Sequence, residues 1–202
     1  MAGTEGVGKQ QSKSIRVRAT ICEATISCLI KYGYGETSLH RVAAKAGFSK
    51  GALQYHFPSK EDLMVAAADR LLERPFAEPQ KPEDIPDSVE AAILQNWNKF
   101  TNTGAYRALL EILIATRTDL KLQRRISDKL HVWNEALDQH ALNMFRSRTG
   151  DDKDVVAILT MSRSLMRGLV IQDSYSTNPE ETLQLIHRWI KFISPELELR
   201  ES

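Results

Sequence analysis

The sequence lacks the features of membrane, secreted and disulfide-bonded proteins. Its longest uninterrupted apolar run, Leu63 to Ala68, has six residues, whereas a membrane-spanning helix needs about 20. The N-terminus, MAGTEGVGKQQSKS, contains no apolar stretch of the kind found in signal peptides. The cysteines are Cys22 and Cys28, and no second pair completes a zinc site or a CxxC redox motif. We therefore expect a cytoplasmic protein with no membrane contact, whose thiols fill core space.

Motifs of catalytic and cofactor-binding sites are also scarce. The five histidines include no pair at the i, i+3 or i, i+4 spacing, so no helix presents HExxH-like metal ligands. Neither GxGxxG nor a P-loop motif occurs. The acidic pairs Asp151-Asp152 and Glu180-Glu181 each open a predicted helix, where they stabilise the helix dipole. We predict no catalytic residue, no metal ligand and no cofactor.

Charge is distributed unevenly, although the net charge is only +1. From Lys9 to Lys60, nine lysines and arginines accompany two acids, Glu23 and Glu36. The rest of the chain holds 18 basic and 24 acidic residues. A basic module on an acidic body indicates an anionic partner at one end of the protein.

The first quarter of the chain is predicted to form short helices. Residues 1–13 are rich in Gly, Gln, Ser and Lys without periodicity, which predicts a flexible basic arm. A helix over 15–32 follows and ends at Gly33-Tyr34-Gly35. Side-chain oxygens suited to cap the later helices are found at Thr37 or Ser38, Ser49 and Ser59.

Beyond this module the chain is predicted to be helical throughout. Four prolines between Arg74 and Ser88 interrupt the helical pattern and mark a boundary. Helices are expected over 87–101, 105–117, 119–147, 151–176 and 179–193, and no strand is expected. The fold class is therefore all-α, an N-terminal three-helix helix-turn-helix domain followed by a larger helical bundle. The predicted limits are an arm at 1–13, a DNA-binding domain at 14–58, a helix and Pro-rich linker at 59–86 and a ligand-binding and dimerisation domain at 87–202.

The most informative stretch is TSLHRVAAKAGFSKGALQYHF, residues 37–57. Two short helices separated by a tight Gly-containing turn are typical of a DNA-binding helix-turn-helix, although unrelated proteins also contain such pairs. The second helix presents short or polar residues outward. Gln54 can bond an adenine edge, Lys50 can reach guanine, and Gly51 lets the backbone approach the duplex.

The sequence here resembles the tetracycline-repressor (TetR) family of bacterial transcriptional regulators. The resemblance runs from about Arg18 to Leu63, a quarter of the chain, and rests on matches spread over three turns. These are Gly33-Tyr34, Thr37-Ser38, Val42-Ala43, Ala46-Gly47-Phe48-Ser49-Lys50-Gly51, Leu53 and His56-Phe57-Pro58-Ser59-Lys60-Glu61-Asp62-Leu63. The sequence departs from the family pattern at Gln54, where a tyrosine is common; here the aromatic residue is Tyr55.

The resemblance implies specific roles in DNA binding. Thr37 or Ser38 and Lys60 are expected to bind phosphate, since Lys60 starts a helix whose free N–H groups favour an anion. The residues expected on or beside the recognition helix are Ser49, Lys50, Gly51, Gln54, Tyr55 and His56. A solvated Lys60, a Tyr55 ring covering the core and a packed His56 are the alternatives. Lys9, Lys13, Arg16 and Arg18 could add contacts from the arm.

The C-terminal part of the chain offers candidates for a ligand pocket. Bulky apolar walls with a few inward polar groups are typical of such pockets, although aromatic and methionine side chains at helical spacing more often form core. The candidates are Trp97, Tyr106, Trp133, His140, Met144, Arg163, Met166 and Asp173. Asp173 lies on an otherwise apolar stripe, where a buried carboxylate would need a partner.

The sequence thus predicts a dimeric, ligand-responsive transcriptional repressor. The family resemblance implies a homodimer on a palindromic operator and release by a small-molecule effector that is largely apolar. Apolar stripes over 151–176 and 179–193 could supply the dimer interface. The alternatives are a helical-bundle enzyme or small-molecule carrier without specific DNA binding, and a non-specific architectural DNA binder.

Overall fold

The computed structural model describes residues 4–76, 85–173, 175 and 178–200. Residues 1–3 of the predicted arm, 77–84 of the predicted linker and residues 174 and 176 of the predicted helix 151–176 lie outside the described residues. The helices of the described part are α1 (Thr4–Glu36), α2 (Leu39–Ala46), α3 (Lys50–His56), α4 (Lys60–Glu73), α5 (Val89–Asn96), α6 (Gly104–Ala115), α7 (Leu120–Met144), α8 (Asp152–Gln172) and α9 (Pro179–Ile193). The all-α prediction is confirmed.

Helix α1 starts earlier than the sequence indicated. It begins at Thr4, whereas residues 1–13 were expected to form a flexible arm and the helix to begin at Ile15. The correction has a physical reason: adding a residue to an existing helix gains one hydrogen bond without a new nucleation step, so polar residues can extend a packed helix. The predicted end is confirmed, because Gly33 has a positive φ of 72° and breaks the helical geometry.

Two short strands contradict the expectation that no strand would form. Strands β1 (Phe145–Ser147) and β2 (Leu197–Leu199) pair antiparallel, with Arg146 opposite Glu198. Each has three residues, too few for a period-two pattern to stand out in the sequence. The pairing satisfies backbone groups directly after α7 and after the short 3-10 turn that follows α9.

The first compact unit comprises Met1–Arg74 and Gly104–Asp128. Helix α1 packs against α2, α4 and α6, and α4 also packs against α6. Its core includes Ile21, Leu29, Leu53, Phe57, Leu63, Met64, Ile112, Leu122 and Ile126. The sequence placed 104–128 in the C-terminal domain, whereas packing groups these residues with the helix-turn-helix, because α6 buries Ala108 and Ile112 completely.

The second unit comprises Pro75–Thr103 and Lys129–Ser202. Helix α5 packs against α9 and β2, and α8 packs against α9, β1 and the π-helical turn Trp97–Thr101. The core of this unit includes Ile93, Trp97, Phe145, Val155, Met166, Ile186, Ile190 and Leu197. Among the described residues, no helix is both long and apolar enough to cross a membrane.

Candidate DNA-binding surface

The turn between α2 and α3 has the geometry that the sequence predicted. Ser38 caps α2 by accepting a hydrogen bond from the Arg41 backbone N–H at 3.3 Å. Gly47 ends α2 in the left-handed conformation, with φ 74°, which costs a residue without Cβ little. Ser49 then caps α3 by accepting from the Ala52 backbone N–H at 3.1 Å. Both predicted caps and the glycine turn are confirmed.

The turn residues Gly47 to Gly51 also match the letters of the Gly-x-Ser-x-Gly nucleophile motif. In hydrolases that motif joins a strand to a helix and exposes the serine to a histidine base. Here the turn joins two helices, and the Ser49 Oγ serves as a helix cap. Among the described residues, no group of three or more potential metal ligands occurs either.

Helix α3 separates an inner face from an outer face. Leu53 and Phe57, four residues apart, are both buried. On the outer face, the exposed predicted residues are Ser49, Lys50, Gly51, Gln54 and Tyr55. The alternative that Tyr55 covers the core does not hold, because 85% of this residue is exposed. His56 is half-buried, and its ring meets the Tyr55 ring edge-on with centroids 5.1 Å apart.

The structure distinguishes the two candidates at the start of α2. Thr37 is fully buried, and its hydroxyl donates to the Gly33 carbonyl at 2.7 Å. Its side chain therefore cannot reach a phosphate, which corrects the expectation for this residue. Ser38 is exposed and lies where the free N–H groups of α2 begin.

Lys60 has partners within the protein where a phosphate contact was expected. Its ammonium donates to the carbonyls of Tyr34 at 2.6 Å and Gly35 at 3.2 Å, and it lies 4.3 Å from the centroid of the Tyr34 ring. Burial lowers its pKa from the ordinary lysine value. These contacts join the start of α4 to the end of α1, and the expected phosphate contact of Lys60 stays a prediction.

A polar cluster in the first unit surrounds the same end of α1. The Tyr34 backbone N–H donates to Glu111 Oε2 at 2.6 Å, and the Tyr34 hydroxyl donates to Asp119 Oδ2 at 2.9 Å. Burial and this hydrogen bond raise the pKa of Tyr34. Hydrogen bonds from the Leu122 backbone N–H and from Tyr34 lower the pKa of Asp119. Sequence reasoning missed this cluster, because no local pattern relates residue 34 to residues 77 and 85 positions later.

Several basic side chains near α2 also escaped the sequence prediction. Arg41 is exposed, pairs with Glu36 at 2.9 Å and lies 4.7 Å from the Tyr32 ring centroid. Lys45 and His40 are exposed on the same helix. The excess of basic residues in this part of the sequence was the available signal, but a count of charges cannot show which basic side chains lie on the same surface of the module.

The eight predicted ligand residues do not all fall in one unit. Tyr106 belongs to the first unit, and the other seven belong to the second. Trp97 and Met166 are buried, Met144 is half-buried, and His140 is exposed with its ring edge-on to Phe76. Asp173 is the half-buried C-cap of α8, not a fully buried carboxylate.

Two of the ligand candidates have distinctive polar contacts. Arg163 is half-buried and donates to Asp138 Oδ1 at 2.6 Å and to Thr160 at 2.7 Å. The indole Nε1 of Trp133 is buried and has no hydrogen-bond partner among the described residues. By contrast, Trp189 Nε1 donates to Ser162 Oγ at 2.8 Å.

Comparison with known proteins identifies the module built from these helices. Residues 21–67 match the model of bacterial regulatory proteins of the tetR family. The helix-turn-helix module is that of the TetR family. This TetR match runs from Ile21 in α1 to Ala67 in α4, and therefore spans α2, the glycine turn and α3.

Relatives of similar length match most of the chain. An HTH-type transcriptional regulator of Mycobacterium tuberculosis is 26% identical over 174 residues, covering 85% of this chain and 89% of the relative. The HTH-type transcriptional repressor AcnR of Corynebacterium diphtheriae is 24% identical, covering 88% and 93%. A transcriptional regulator of Saccharomonospora viridis, solved with choline, shares the fold with a TM-score of 0.66 at 17% identity, covering 92% of this chain and 99% of that one.

Proposed function

We propose that this TetR-family protein is a cytoplasmic transcriptional repressor that binds a palindromic DNA operator as a homodimer and leaves it when a small-molecule effector binds. The observation that carries this proposal is the division of α3 into a buried apolar face and an exposed polar one. Leu53 and Phe57 hold the helix in the module, and Lys50, Gln54 and Tyr55 are free to meet a major groove. The relatives named as a regulator and a repressor support the same function.

The chemistry of each exposed residue on the candidate DNA-binding surface suits a particular contact with DNA. The Gln54 amide can bond an adenine edge in two places, and the Lys50 ammonium can reach guanine acceptors. Tyr55 can contact a thymine methyl group or a phosphate. Ser38 and Ser49 each cap a helix N-terminus, where free N–H groups and the dipole favour phosphate. Half-buried His56 is the least available of the predicted contacts.

The homodimer is supported by an exposed small and apolar stripe on α8. Its members recur at alternating spacings of four and three residues, the spacing found along the contact seam of two paired helices. They are Ala157, Met161, Ser164, Gly168 and Ile171. On α9, Leu185 and Phe192 are exposed on one face, 47% and 66% respectively. Leu169, Ile186, Ile190 and Ile193 lie on the apolar stripes that were expected to supply the interface, but they are buried in the core of their own unit. A dimer brings two copies of α3 to successive half-sites.

The effector site belongs to the second unit in this proposal. The buried and unpartnered Trp133 N–H favours a ligand that carries a hydrogen-bond acceptor, because leaving a buried donor unpaired costs about 1–3 kcal/mol. The second unit also contains buried apolar side chains such as Trp97 and Met166. We therefore expect a largely apolar effector with a carbonyl, ether or carboxylate oxygen. Its binding would favour a state in which the two α3 helices no longer match their half-sites.

The test is a selection of genomic DNA fragments by the purified protein at physiological salt. We expect the wild type to recover a short palindrome that Lys50→Ala and Gln54→Ala lose or alter. Gln123→Ala is the matched control, because this glutamine is exposed on α7 in the first unit. Uniform recovery of all fragments, unchanged by Gln54→Ala, would contradict sequence-specific binding and support the architectural alternative.

The effector half of the proposal needs a separate experiment. The complex of the protein with the recovered operator is titrated with small molecules. They are chosen from the substrates and products of the proteins that the genes next to the operator encode. We expect one of them to release the DNA. A ligand that tightens operator binding would replace the inducible repressor with a corepressor-dependent one.

A further inference from the structure

Arg18 of α1 makes two contacts with the end of the recognition helix. Its Nη1 donates to the carbonyl oxygen of His56 at 2.8 Å. The guanidinium carbon also lies 4.3 Å from the centroid of the Phe57 ring. His56 is the last residue of α3, and Phe57 caps it. One planar side chain thus holds both residues at which α3 ends.

Helix α3 depends on such support because it has seven residues. A helix of two turns is unstable by itself in water, and its last carbonyls have no partner within the helix. Ser49 satisfies the N-terminal end. At the other end, the positive Arg18 guanidinium satisfies the His56 carbonyl and complements the negative end of the dipole. Its stacking on Phe57 adds a cation–π contact.

We infer that Arg18 is a positioning residue that fixes the C-terminal end of α3 against α1, in place of the arm contact with DNA that its sequence position suggested. The inference rests on the proposed function, since α3 is taken as the helix that reads the operator. Gln54 and Tyr55 lie within one turn of the anchored end. Fixing that end therefore fixes the direction in which both side chains enter the groove.

A positioning residue and a phosphate contact have different signatures in binding. A phosphate contact contributes to all DNA sequences alike, and removing it lowers the slope of log affinity against log salt by about one. A positioning residue leaves that slope unchanged and affects the ratio of operator affinity to non-specific affinity. A misfolded variant would instead lose active protein, which a stoichiometric titration measures.

The experiment compares Arg18→Met and Arg18→Lys with Arg16→Met. Arg16 is exposed on the same helix, so its variant removes the same charge and serves as the matched control. Affinity for the operator and for a scrambled duplex of equal length is measured at several salt concentrations. Hydrogen exchange over residues 50–57 is measured in the DNA-free protein, so that one readout does not depend on an operator.

We expect Arg18→Met to lower the operator-to-scrambled affinity ratio about tenfold, the effect of losing one charge-assisted hydrogen bond, with no change in the salt slope for scrambled DNA. Exchange over α3 should become faster in this variant and stay unchanged in Arg16→Met. Arg18→Lys should recover only part of the ratio, because an ammonium cannot stack and donate as a planar fork does.

Other outcomes overturn the inference. Unchanged exchange over α3 in Arg18→Met would show that Arg18 does not anchor the helix. A salt slope lowered by about one, with full recovery in Arg18→Lys, would make Arg18 a phosphate contact. A wild type that does not distinguish operator from scrambled DNA would refute the proposed function instead, while faster exchange in Arg18→Met alone would still support the anchoring of α3.

Discussion

The ammonium nitrogen of Lys60 lies 2.6 Å from the carbonyl oxygen of Tyr34, so that the first residue of α4 is bonded to the end of α1. The same ammonium lies over the Tyr34 ring. A lysine that the sequence suggested for DNA therefore holds two helices of the binding module together.

This contact predicts that substitutions of Lys60 and Lys50 affect different properties, protein stability for Lys60 and operator affinity for Lys50. Lys60→Ala should lower the free energy of unfolding by about 1–2 kcal/mol, because the part-buried carbonyl of Tyr34 loses a charged donor. Lys50→Ala should change stability by less than about 0.5 kcal/mol, because Lys50 is exposed, yet it should weaken operator binding. Urea denaturation and operator titration of both variants separate the two roles. Equal stabilities would show that the contacts of Lys60 contribute nothing.

Stability at acid pH should depend on Asp119. Its pKa is lower in the folded protein than the ordinary value of 3.8, so the unfolded chain takes up its proton first as the pH falls. The stabilisation is fully present above pH 3.8 and is lost as the pH falls through the lowered folded value. Asp119→Asn should therefore show a shallower loss of Tm below about pH 4 than the wild type.

The control for this titration is Asp128→Asn, an exposed aspartate on the same helix as Leu122, whose N–H bonds Asp119. Its Tm profile should follow that of the wild type. Parallel acid profiles for the wild type and Asp119→Asn would rule out the contribution of Asp119.

The two tryptophans with contrasting N–H groups form a matched pair. Substitution by phenylalanine removes the indole N–H and about the same side-chain volume at either position. The cavity therefore costs a similar free energy in both variants. Trp189→Phe should lose about 1 kcal/mol more than Trp133→Phe, because only Trp189 gives up a hydrogen bond, to Ser162. Thermal and urea unfolding provide the comparison. An equal or larger loss for Trp133→Phe would mean that its N–H is satisfied in solution.

Two glycines with nearly the same φ should differ in their tolerance of alanine. Gly33 and Gly47 have φ of 72° and 74°, which costs an alanine about 1–2 kcal/mol at either position. At Gly33 the added Cβ would also lie 2.9 Å from Glu111 Oε2, whereas at Gly47 no atom of the described residues lies within 4 Å. Gly33→Ala should therefore be the more destabilising in urea titration.

A second variant isolates the steric part of that difference. Replacing Glu111 by alanine removes the atom that the new Cβ would meet, together with the acceptor of the Tyr34 N–H. Measured against Glu111→Ala alone, Gly33→Ala should then cost about as much as Gly47→Ala. If the gap between the two glycines persists in this background, Glu111 is not its cause.

Local chemistry made much of the binding module predictable. Ser49 and Gly47 act within four residues of their own position, so residue type and spacing are enough to predict a cap and a left-handed turn. The outward direction of Lys50 and Gln54 follows equally from the helical period once Leu53 is assigned to the core. Thr37 was the exception, since two adjacent hydroxyl residues could each cap α2 and only packing chose between them.

Contacts between distant residues had no such signal. Arg18 and His56 are 38 positions apart, and Lys60 and Tyr34 are 26 apart. A basic residue in a basic stretch gives no indication of whether it faces a phosphate or a carbonyl. The grouping of α6 with the binding module depended likewise on which apolar face met α1 and α4.

The sequence by itself determined the all-α class, the positions of the caps and turns, and the residues that α3 turns outward, because each depends on local backbone preference and apolar period. Tertiary structure alone decided the roles of the cations and hydroxyls, burying Thr37, drawing Lys60 onto the end of α1 and Arg18 onto the end of α3. The reason is that a polar side chain takes whichever partner the fold brings within hydrogen-bond distance, and only the packing of distant helices determines that partner.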